Sequence, residues 1–114
     1  MQFYSTKTRS IKASLEEAVF RSLPPDNGLY MPESIPTLSA EFLSTIENRT
    51  FNEIAKEVAY TLLKDDLSFE DVDNIVDNSF SFHAPVVEIL PDSCVLELFH
   101  GPSMAFKDFG ARFM

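Results

Sequence analysis

Residues 94–114 read Cys94-Val95-Leu96-Glu97-Leu98-Phe99-His100-Gly101-Pro102-Ser103-Met104-Ala105-Phe106-Lys107-Asp108-Phe109-Gly110-Ala111-Arg112-Phe113-Met114. The first six residues have strand composition. Gly-Pro-Ser then makes a loop, and a helix is expected to begin near Lys107. Backbone N–H groups at a helix start, with a small hydroxyl beside them, can hold an anion. A lysine between Phe106 and Phe109 would be partly desolvated, and desolvation turns an ammonium into a nucleophilic amine suited to an aldehyde cofactor. Spacing alone leaves a second reading open, a solvated surface lysine at a helix start. No stop signal, cap or polar tail follows Met114, so the pattern predicts a chain cut from something longer.

Immediately before this stretch the character changes. Val86-Val87-Glu88-Ile89-Leu90 is β-branched and apolar, and Pro91-Asp92-Ser93 is a turn signal, so two strands over 86–90 and 94–99 are expected, joined as a hairpin. Ala84-Pro85 marks the switch from the helical pattern upstream. Two units are therefore expected: residues 1–83 as a small, mainly helical domain with short strands, and residues 84–114 as the first strands of an α/β domain. The fold class is α+β.

Upstream, three helix starts are written in capping residues. Ser14-Leu15-Glu16-Glu17 and Thr50-Phe51-Asn52-Glu53 are capping boxes, and Ser68 stands three residues before Asp71. Leu15, Ala18, Val19 and Leu23 share one face until Pro24-Pro25 stops the first helix. Phe51, Ile54, Ala55, Val58 and Leu62 form a single stripe, as do Phe69, Val72, Val76 and Phe80. Ser39 caps a short helix carrying Phe42, Leu43 and Ile46. Phe3-Tyr4-Ser5-Thr6 and Leu29-Tyr30-Met31-Pro32 read as extended. Asp26-Asn27-Gly28 is a turn in which Asn27 and Gly28 tolerate positive φ.

Composition bounds the function. Hydrophobic residues are 45% of the chain and 11 residues are Phe, enough for a core and against disorder. The net charge of -9 disfavours nucleic acid and anionic membranes as partners. No stretch approaches the roughly 20 apolar residues that span a bilayer, and no signal peptide is visible. Cys94, the single cysteine, is expected as a buried structural thiol in a reducing compartment, and a soluble cytoplasmic protein is expected. No metal-ligand cluster or Ser-His-Asp arrangement is visible.

Residues 96–113 resemble the lysine segment of threonine synthases, LELFHGPTxAFKDFGxRF. The Ser-x-x-x-Lys-Asp core is shared more broadly with tryptophan-synthase-β-like pyridoxal-phosphate enzymes, whereas Leu-Phe-His-Gly-Pro points to threonine synthase. Ser103 stands where Thr is common and keeps the hydroxyl. Phe3–Thr6, the helix around Glu16-Ala18-Val19, Asp26–Pro32 and Phe82-His83-Ala84-Pro85-Val86 resemble that family's N-terminal domain.

The resemblance implies a pyridoxal-phosphate-dependent lyase converting O-phosphohomoserine and water to threonine and phosphate. It makes Lys107 the residue that carries the cofactor, is released by the substrate amine and then moves protons among the α, β and γ carbons. Phosphate leaves from Cγ and water adds at Cβ. Ser103 and His100 are candidates to line the site, with a turn-stabilising role as the alternative for each. Asp108 is expected to cap the helix, Arg112 to pair with Asp108 one turn away, and His83 to be a satisfied boundary histidine. The ring-nitrogen partner and the phosphate loop are expected beyond Met114, leaving the 114-residue chain inactive alone and its residues 85–114 prone to self-association or disorder. A phospho-lyase acting on another amino-acid phosphate ester and a non-catalytic interaction module are the competing readings.

Overall fold

A computed structural model describes all residues, Met1–Met114. Strand β1 (Gln2–Ser5) lies between β2 (Lys12–Ser14) and β3 (Tyr30–Pro32), antiparallel to both, with Phe3 opposite Ala13 and Tyr4 opposite Met31. Five α-helices follow, α1 (Leu15–Arg21), α2 (Ala40–Thr45), α3 (Phe51–Leu63), α4 (Phe69–Ser79) and α5 (Lys107–Phe113), with a 3-10 turn at Ile46–Asn48 after α2. A separate hairpin, β4 (Val86–Leu90) and β5 (Ser93–Leu96), stands between α4 and α5. The architecture is mixed α+β, as expected.

The capping residues act as read. Ser14, Thr50 and Ser68 each accept from the backbone N–H three residues on, and Glu17, Glu53 and Asp71 return the bond to the cap. Each exchange satisfies two N–H groups that a helix start would otherwise leave unpaired. Ser39 caps α2 through the Phe42 N–H at 3.0 Å.

The core lies between α3 and α4. Ala59, Val72 and Val76 are its buried residues, flanked by Ala55, Tyr60, Leu67, Phe80 and Phe113. Val72 and Val76 are fully buried, each contributing about 1.5–3 kcal/mol of transfer free energy. The face of α3 centres on Ala59 rather than Val58, which is exposed. Lys56 of α3 joins Asp73 (2.7 Å) and Asp77 (2.8 Å) of α4 across the outer edge.

Several expectations need correction. Strand β2 has no apolar alternation and carries no strand signal of its own; pairing with β1 makes it. Leu23 lies beyond the end of α1 and is half exposed. In the 26–28 turn only Asn27 takes positive φ (57°); Gly28 is needed for a different reason, the close approach of Ser5. Strand β5 ends at Leu96: Glu97 N–H still reaches Pro85 O at 2.9 Å, but residues 97–100 leave the ladder. Cys94 is exposed, because the hairpin turns both faces to solvent.

Candidate active site

Lys107 opens α5. Its side chain is exposed, and its amine has neither a hydrogen bond nor an ion pair within the chain. The flanking phenylalanines do not desolvate it. Phe106 points outward, 72% exposed, while Phe109 turns the other way into an aromatic cluster with Phe82 (5.0 Å between ring centres), Phe51 and Phe80 (5.9 Å each). At about 100° per residue, Phe106 and Phe109 lie about 100° and about 160° round the helix from Lys107, so neither ring covers the amine.

The loop ahead of Lys107 is closed by hydrogen bonds. Met104 N–H reaches Gly101 O (3.0 Å) and Asp108 N–H reaches Ala105 O (3.1 Å), giving two consecutive turns. Pro102 suits the second position of the first turn. Asp108, buried at 6% exposure, accepts the Ser103 N–H on Oδ2 (2.8 Å) and the Ser103 hydroxyl on Oδ1 (2.5 Å). Gly101 permits this approach: a Cβ there would lie 2.5 Å from Asp108 Oδ2. Met104 sits at φ 52°, an uncommon conformation for a long side chain.

Asp108 therefore does not cap α5, since Phe106 occupies that place without a side-chain bond. The anion held by the loop is the chain's own carboxylate. The Ser103 hydroxyl, chiefly, holds the Asp108 carboxyl below the usual carboxylate range. The stabilisation this gives is present above the ordinary Asp value and fades as pH falls through the lowered one. The expected Asp108–Arg112 pair is not formed. The Arg112 guanidinium instead donates to Ser79 O (2.8 Å) and Asn78 O (2.9 Å), and the Ser79 hydroxyl donates to Arg112 O (2.8 Å). That exchange ties α5 to the end of α4.

Of the residues singled out in the sequence, Ser103 is hydrogen-bonded directly to Asp108, the residue beside Lys107. His100 is exposed and directed to Glu97 (2.7 Å). His83 is exposed and has no hydrogen-bond partner in the chain, unlike the satisfied boundary histidine expected, and it lines an open groove with Phe51, Phe80 and Phe82 at the start of α3. No group of three or more His, Cys, Asp or Glu side chains converges as a metal site. Ser79 went unnoticed in the sequence; its only local signal was an N-terminal-type residue at a helix end.

Residues 2–80 match the family model described as Threonine synthase N terminus. The chain belongs to the threonine synthase N-terminus family. Threonine synthase from Escherichia coli (strain K12) is 33% identical over 114 residues, covering 100% of this chain and 27% of that protein. Threonine synthase from Schizosaccharomyces pombe is 34% identical over 120 residues, covering 100% of this chain and 23% of that protein. The crystal structure of the E. coli threonine synthase superposes with a TM-score of 0.92 at 33% identity, over 99% of this chain and 26% of that one. A PLP-bound threonine synthase from Brucella melitensis gives 0.85 at 29% identity, over 100% of this chain and 26% of that one. The chain thus spans about a quarter of the length of the threonine synthases it matches. No helix in it is long and apolar enough to cross a membrane.

Proposed function

We propose that this chain is the N-terminal part of a threonine synthase, a pyridoxal-phosphate-dependent lyase that converts O-phosphohomoserine and water to threonine and phosphate. The observation that carries the reading is the free, exposed amine of Lys107 at the head of α5, inside a segment of threonine-synthase type. A primary amine with no ion-pair partner fits the aldehyde of pyridoxal phosphate, so Lys107 is the residue that would hold the cofactor. When bound, the cofactor supplies an electron sink for the substrate carbanion. Lys107 Nζ then serves as the group that accepts and returns protons at the substrate carbons. Exposure leaves that nitrogen able to reach a substrate presented by other parts of the protein.

Residues 1–83 and 84–114 belong, on this reading, to different domains of the longer protein, the second beginning the cofactor domain. Ser103 does not line the site as a donor while its hydroxyl proton is held by Asp108. His100, engaged by Glu97, remains a candidate lining residue. The protein is placed in the cytoplasm, and the free thiol of Cys94 suits a reducing compartment. The 114-residue chain by itself is inactive and self-associates through residues 85–114.

The test is pyridoxal-phosphate loading of the full-length protein, borohydride trapping and peptide mapping. The label is expected on Lys107, and Lys107→Ala should abolish both stable attachment and threonine formation. In the isolated chain the label should spread among Lys7, Lys12, Lys56, Lys64 and Lys107. A full-length protein labelled elsewhere, or active without Lys107, would overturn the reading.

A further inference from the structure

We propose that Asp108 is a positioning residue for Lys107, locking the Gly101–Ser103 loop to the first turn of α5 so that the amine is held facing outward; this rests on the cofactor role of Lys107. Four observations converge on it. Asp108 is buried while its neighbour Lys107 is exposed, the two side chains leaving α5 about 100° apart, one to the protein and one to solvent. Both carboxylate oxygens of Asp108 are bonded to one residue, Ser103, which fixes the carboxylate plane as well as its position. The turns closed at Gly101–Met104 and Ala105–Asp108 meet on that carboxylate, and Lys107 lies within the second of them. Gly101 is packed so tightly against Asp108 that any side chain there would displace it.

The lock also fixes what each substitution should do. A carboxylate only accepts, and here it accepts an N–H and an O–H. Alanine at 108 leaves both donors and a void. Asparagine keeps the bridge: its carbonyl oxygen takes the Ser103 N–H, and its NH₂ donates to the Ser103 oxygen, which changes from donor to acceptor. Alanine at 103 removes the hydroxyl bond alone, whereas threonine retains it. The left-handed backbone of Met104 is a conformation that persists only when its surroundings impose it, and the Asp108 bridge spans it.

The experiment follows the rate of borohydride trapping of pyridoxal phosphate on Lys107 in the full-length protein, divided by the rate on the exposed lysines Lys7 and Lys64 of the same sample. Circular dichroism monitors folding. D108A and S103A should lower the ratio, roughly ten- to a hundredfold for D108A as expected for a misplaced reacting group. D108N and S103T should restore it to within a few-fold of wild type. A general loss of stability would move the lysines together and would not be rescued by the conservative variants. Should D108A fail to fold, the S103A and S103T pair decides. Equal ratios in wild type, S103A and D108A overturn the positioning role while leaving Lys107 as the cofactor lysine. A wild-type protein with no preference for Lys107 overturns the cofactor reading itself, and the positioning role with it.

Discussion

A methyl group on residue 28 would lie 2.2 Å from Ser5 Oγ and 3.1 Å from the Lys7 backbone nitrogen, far inside normal contact. Ser5 cannot retreat, because it is fully buried and its hydroxyl donates to the Asp26 carboxylate at 2.7 and 2.9 Å. That hydroxyl is the main reason the Asp26 carboxyl is held below its usual range, against the opposing effect of desolvation. Gly28 N–H bonds the same carboxylate at 3.0 Å. One glycine thus lets the turn dock on β1 and bring β3 alongside it. Gly28→Ala is expected to cost about 1–3 kcal/mol, read as a lower urea midpoint with unchanged slope. Gly110→Ala is the control: beyond its chain neighbours and the backbone of α5 itself, no atom lies within 4 Å of its Cβ position, and alanine in a helix interior should be neutral or stabilising by up to about 1 kcal/mol. Equal losses at both positions would contradict this packing.

Among the elements, the attachment of α5 to α4 decides where the lysine helix sits. The last carbonyls of a helix lack intrahelical partners and attract cationic donors. Arg112 supplies two such bonds to Asn78 and Ser79, and Phe113 stacks on Phe80 at 6.1 Å. Arg112→Met keeps the apolar stem but leaves those carbonyls without their donors. A loss of about 1–3 kcal/mol is expected, with faster amide exchange confined to α5 while α3 and α4 keep their protection; uniform acceleration across all three helices would argue against a local clasp. The helices were legible in the sequence because caps and stripes are local: Ser14, Thr50 and Ser68 state their own roles. Strand β2 was not, since Lys12-Ala13-Ser14 is extended only by virtue of β1. The partner of Arg112 was illegible for the same reason. A four-residue spacing suggested Asp108, but Asp108 is occupied by Ser103, and the carbonyls that Arg112 reaches lie 33 and 34 residues away. In the site, the lysine was readable from its motif, while the lock that surrounds it depends on two turns folding back and could not be read from composition.

For the whole molecule, shape and surface point to an open apolar face at the β4–β5 hairpin, residues 86–96, while α5 stays packed on α4. The accessible surface is 7996 Å², whereas a compact monomer of 12.9 kDa should expose about 6,300 Å². The radius of gyration is 16.4 Å, against about 13 Å for a compact domain near this length. Every residue of β4 and β5 is exposed, including Val86 (67%) and Leu96 (53%), which stand directly opposite each other. The excess of roughly 1,700 Å² exceeds the ~800 Å² per partner that a stable interface needs. Two apolar strands with open edges pair readily with another chain. The isolated chain is therefore expected to sediment as a dimer or larger, under reducing conditions that keep Cys94 from cross-linking. With a net charge of -9, copies repel one another at long range, so screening by added salt should strengthen the association. Val86→Lys combined with Leu96→Glu places opposite charges across the hairpin, preserving the strand pair while making that face polar. This double variant should sediment as a monomer at all salt concentrations. A wild-type chain that is monomeric at high salt, or a double variant that still associates, would show that the hairpin is not the sticky surface.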